Sequence, residues 1–131
     1  MLYFWVMLGS ALGGGARYAV SGLAAVHIGG TFPWGTLIVN ATGSFIIGFF
    51  ATLTGPDGRV YVGTEGRQFV MTGICGGYTT FSSFSLQTLN LVRDGEMTLA
   101  GMNIGLSFLL CLLSVWAGHA AASALNQLKG G

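Results

Sequence analysis

Four apolar runs divide the chain, at residues 2–25, 33–54, 68–92 and 97–125. Each is close to the roughly 20 residues that an α-helix needs to cross a bilayer's hydrocarbon at about 1.5 Å per residue. Polar connectors separate them: HIGGT after the first, TGPDGRVYVGTEGR after the second and RDGE after the third. Pro33 and Pro56 fall at boundaries, where a missing amide costs a helix little. The opening MLYFWVMLGS has no basic residue before its apolar stretch and is read as the first span, not a cleaved signal. The pattern predicts one all-α integral membrane domain over residues 1–131, with four transmembrane helices and no internal repeat.

The third run is the irregular one. Its stretch Gly73 to Ser85, GICGGYTTFSSFS, places Gly76, Gly77, Tyr78, Thr79 and Thr80 in a row. Paired glycines and paired β-branched threonines are poor helix formers, so this helix is expected to break in mid-membrane, unwinding at the double glycine. Opened backbone inside a bilayer must be buried in protein or line a wet cavity, and transporters use such breaks to hold ions. The stretch is therefore the expected functional centre.

Polar positions inside the other runs are few and aligned. Thr36, Asn40 and Ser44 recur every four residues on one face, as do Asn103, Ser107 and Cys111, with Ser114 close by. Such lines either form interhelical hydrogen bonds or wet a track for an ion. Phe81 and Phe84, three apart, share a face just beyond the break. A phenyl edge is electropositive, which suits a desolvated anion without trapping it by full charge. Gly9, Gly13, Gly14, Gly43, Gly48, Gly101 and Gly105 are expected to let helices approach closely.

Composition agrees: 52% of the 131 residues are hydrophobic and 7% charged, with a mean hydropathy of +0.69, which is a membrane protein's profile. A net charge of +1 gives no reason for nucleic acid as a partner. Cys75 and Cys111 lie in apolar runs without metal-type spacing and are read as free thiols. The acids Asp57, Glu65, Asp94 and Glu96 all sit in connectors or at span edges, and His119, near one end of the last run, reads as a packing or interfacial residue. Arg17 is the one cation within a span, either an interfacial anchor or the wall of an anion vestibule. Arg59, Arg67 and Lys129 on one side nearly balance Arg93 with Arg17 on the other. So small a bias fixes no single orientation and suggests insertion both ways, which would permit an antiparallel pairing of copies.

Three runs, GGGARY at 13–18, GTLIVNATGSFIIG at 35–48 and the stretch at 73–85, resemble the Fluc (CrcB) fluoride channels of microbes, and the likeness covers nearly the whole chain. The resemblance implies a dual-topology antiparallel homodimer in the cell inner membrane, passively exporting fluoride through two pores beside a central structural Na+. It implies backbone carbonyls of Gly76 and Thr79 as the Na+ ligands, and Asn40, Phe81, Ser82, Ser83, Phe84 and Ser107 as pore residues. Family members often carry an acid where this chain has Gln87, which joins Arg17 as a vestibule candidate. The implied partners are fluoride, a second copy and lipid. A small dual-topology proton-coupled multidrug antiporter matches in size, but its chemistry needs a membrane-embedded Glu, and no run carries one. An inert assembly subunit leaves the break unexplained. No convergent nucleophile, base or metal cluster points to an enzyme.

Overall fold

The computed structural model describes residues 1–129 except the side chain of Lys129, whose place in the charge balance lies outside it. Those residues form helices α1 (Leu2–His27) and α2 (Trp34–Leu53), a composite helix α3, then α4 (Phe81–Arg93) and α5 (Met97–Lys129). Helix α3 joins Thr64–Gln68, a wide-turned section Phe69–Cys75 and a last turn Gly76–Tyr78. The connectors coincide with the polar punctuation of the sequence. Gly29, Gly30 and Gly95 take left-handed backbone (φ 65°, 84° and 80°), which a side chain would strain. Helices α2 and α5 are each long and apolar enough to cross a membrane unaided. Glycines and Arg17 dilute α1, and the third run is divided between α3 and α4.

The break is real but lies later than the double glycine. Gly76 is helical (φ −64°, ψ −36°), while Thr79 (φ −88°, ψ 159°) and Thr80 (φ −153°, ψ 116°) are extended. Packing explains the shift. A Cβ on Gly77 would come within 2.9 Å of the Ser10 Cα, and one on Gly73 within 3.0 Å of the Gly9 Cα. These glycines are needed for close approach to α1, and the dispersion attraction of that close packing holds them helical against their poor propensity. The chain opens two residues on, where β-branched side chains already favour extended backbone.

Contacts rise in step along paired helices, which fixes the topology. Gly9 meets Gly73 and Gly13 meets Ile74 and Tyr78, so α1 runs parallel to α3. Gly48 meets Val115 and Thr52 meets His119, so α2 runs parallel to α5. Gly43 and Gly118 likewise admit neighbouring helices, whereas Gly101 and Gly105 have nothing within 4 Å of a built Cβ and Gly14 meets only the Arg17 side chain, at 4.0 Å. The packing expected of those three does not occur within the subunit. The interior is small and partly polar: Val39 and Asn103 are the largest fully buried side chains, while Leu12, Leu109, Leu113 and Trp116 point outward. Such inversion suits lipid, where tight contact and hydrogen bonds hold helices together and water expulsion does not.

The long connector is tied to helix ends. The Arg67 Nη1 donates to the Thr54 carbonyl (2.7 Å) and its hydroxyl, and the Arg59 Nη1 to the Leu125 carbonyl (3.3 Å). Both guanidiniums thus meet the electronegative ends of helices. His119 Nδ1 lies 2.7 Å from the Thr52 hydroxyl, a packing role as expected.

Candidate functional site

Asn40 holds the break open by imitating a β-strand neighbour. Its Nδ2 donates to the Thr80 carbonyl (3.0 Å), and its Oδ1 accepts the Thr80 N–H (2.7 Å). The Thr80 hydroxyl accepts the Ser83 N–H (3.2 Å) and so starts α4 as an N-cap. Tyr78 is pinned as well: its hydroxyl lies 2.8 Å from that of Thr42, which spends its own proton on the Ile38 carbonyl (2.7 Å). Asn40→Asp keeps an acceptor for the Thr80 N–H but sets a carboxylate oxygen against the Thr80 carbonyl. Thermal unfolding in detergent is expected to show a loss of about 1–3 kcal/mol; an unshifted transition would mean the pairing holds nothing.

The carbonyls freed at the break have unequal fates. That of Cys75 accepts both the Thr79 N–H (3.0 Å) and the Thr79 hydroxyl (2.9 Å). That of Gly77 accepts the Arg17 Nε (3.1 Å). Those of Gly76 and Thr79 receive no hydrogen bond among the described residues, because the Thr80 and Ser83 amides that would have served them are turned elsewhere. Backbone carbonyls without a hydrogen bond are free to accept a donor or a cation.

Both residues line a groove of about 330 Å³ that also brings together Asn40, Phe81, Phe84 and Ser107. Phe84 is buried, its ring 5.3 Å from that of Phe81 and 6.1 Å from that of Phe108, the latter edge to face. Phe81 is 69% exposed. Behind the groove runs a buried polar chain. Ser107 Oγ donates to Asn103 Oδ1 at a long 3.4 Å, Asn103 Nδ2 donates to Thr88 Oγ1 (2.9 Å), and Thr88 donates to the Phe84 carbonyl (2.8 Å).

A second cavity, of about 460 Å³, gathers Arg17, Ser83 and Gln87. The two vestibule candidates are thus neighbours, and Arg17 is bonded beside the break. Gln87 Oε1 is buried with no hydrogen-bond partner among the described residues. Of the six pore candidates, Ser83 belongs to this cavity and Ser82 is exposed and lines neither, its hydroxyl 3.3 Å from that of Thr80. Thr80 lines both spaces, where the sequence marks it only as part of the break. Asn103, fully buried, anchors the polar chain behind the groove, a role that its place on a polar face leaves unspecified. The signal for it is an amide four residues before Ser107 in an apolar run.

The family described as CrcB-like protein, Camphor Resistance (CrcB) matches residues 4–119. A relative in Methylocella silvestris named fluoride-specific ion channel FluC is 62% identical over 130 residues, covering 99% of each chain. Proteins of the same name in Opitutus terrae (65% over 129 residues, 98% of each chain) and Rhodospirillum rubrum (56% over 127 residues, 97% of this chain and 98% of the relative) are similarly close.

Proposed function

The chain belongs to the CrcB family and is a fluoride-specific ion channel of the membrane, and we propose that fluoride travels from the Arg17 cavity past Thr80 into the groove of Asn40, Phe81, Phe84 and Ser107. The observation that carries this reading is the convergence of those four groove residues, from three helices, beside one opened backbone. Fluoride is small and holds its water tightly, so the groove must offer replacement donors at close range. Asn40 spends its Oδ1 and one N–H on Thr80 and keeps a second N–H to offer. Ser107, weakly held by Asn103, has a hydroxyl free to turn. The phenyl edges of Phe81 and Phe84 add positive potential. Among the described residues no charged side chain lines the groove; Arg17 lies in the cavity outside it, where it draws anions in without fixing them in the path.

A second copy completes the site. Phe81 projects from the subunit, and Gly76 and Thr79 line the open groove. Neutral hard oxygens of this kind suit Na+, and the same pair from an antiparallel partner would make a closed set of carbonyl ligands. When bound, such an ion supplies a fixed positive charge beside the groove. Flow is passive and outward across the inner membrane, driven by potential. In liposomes carrying the reconstituted protein, a fluoride electrode is expected to register efflux without a pH gradient while chloride stays trapped. Equal passage of both ions, or efflux only with a proton gradient, would overturn this reading.

A further inference from the structure

We propose that Arg17 is a positioning residue for the break, acting through its Nε on the Gly77 carbonyl, and that this bond orients the neighbouring Gly76 and Thr79 carbonyls toward the groove. The inference rests on the channel reading only for what the break serves, not for the bond itself. In an unbroken helix the Gly77 carbonyl would accept from the Phe81 amide, four residues on. With Thr79 and Thr80 extended, that amide has moved away, and the Arg17 Nε stands in its place at 3.1 Å. Successive positions in a helix lie about 100° apart around its axis, so Gly76 and Gly77 stand on different sides of the last turn. Gly77 faces α1, where a Cβ would meet Ser10, while Gly76 and the extended Thr79 line the groove. A charged donor on Gly77 is stronger than a neutral one and fixes the rotation of the last turn. Asn40 performs the matching task on the far side, at Thr80.

The donating atom makes the idea separable from simple charge. Glutamine carries its Nε2 at the same bond count from the backbone as the arginine Nε, so Arg17→Gln keeps a donor there and drops the charge. Arg17→Lys keeps the charge but sets its nitrogen one bond further out, and Arg17→Met removes both. The first measurement is amide hydrogen exchange of the purified protein over residues 76–83, without Na+. Arg17→Met is expected to speed exchange there by roughly tenfold or more, with residues 100–115 unaltered and Arg17→Gln closer to the parent than Arg17→Lys. Unchanged exchange in Arg17→Met, or Lys protecting better than Gln, would overturn the proposal; faster exchange throughout the chain would also do so, by making Arg17 a general packing residue. The second is fluoride flux at about 1 M salt, where the Debye length falls to roughly 3 Å and steering by charge is screened. There the loss is expected to be smaller for Gln than for Lys, and the reverse order would contradict positioning. If the unsubstituted chain passed no fluoride, the channel reading would fail while the exchange result still judged the Arg17 bond.

Discussion

Phe81→Ile is expected to cut fluoride flux by roughly tenfold or more, the factor that about 1.4 kcal/mol of lost stabilisation represents in a rate, while the protein still purifies folded and in the same assembly state as the parent. The design follows from the exposure of the ring. At 69% exposed, Phe81 contributes little to the subunit's own packing, so its loss should not unfold the chain. Isoleucine keeps an apolar surface of useful size and removes only the aromatic quadrupole. Phe84→Ile should reduce flux as strongly, but Phe84 is buried against Phe108, and some of its effect would come from lost packing. Fluoride-electrode recordings and gel filtration on the same preparations separate the two. Unaltered flux in both Phe81→Ile and Phe84→Ile would remove the aromatic rings from the mechanism.

Gly13→Ala is expected to prevent assembly or cost about 3 kcal/mol or more, although alanine is the better helix former by up to about 1 kcal/mol. A Cβ at this position would fall on the Ile74 carbonyl oxygen and within 2.8 Å of the Tyr78 amide nitrogen. Backbone is what it strikes, so no side chain can swing aside. The collision lies one turn before the break, and any separation of α1 from α3 would also draw Arg17 away from the Gly77 carbonyl. Gly15→Ala is the matched control, since nothing lies within 4 Å of a Cβ there. Thermal unfolding in detergent should fall sharply for the first and stay within about 1 kcal/mol for the second. Equal behaviour would mean that α1 and α3 can separate without cost.

The four apolar runs and their connectors are directly legible, because in a bilayer both length and polarity are constrained by the solvent. The break is legible to within a few residues and no closer. Propensity marks Gly76 and Gly77, whereas packing of Gly77 against Ser10 keeps that turn helical, a contact between residues far apart in sequence. The same limit applies to Asn40. Its position on a polar face is evident, but its pairing with Thr80 depends on α2 crossing the break at that level. The division of the serines is partly readable. Ser83 and Gln87 are four apart on α4 and so share a face distinct from that of Phe81 and Phe84, which assigns Ser83 to the Arg17 cavity. Ser82 stands about 100° from Ser83 on α4 and lines neither cavity.

The most direct measurement is an experimental density map of the protein purified in Na+. Two antiparallel copies are expected, each with its chain extended at Thr79 and Thr80, and a cation held between the Gly76 and Thr79 carbonyls of both. A helix continuous through residues 64–93, or those carbonyls bonded to amides of their own chain with no ion between the copies, would contradict the mechanism at its base.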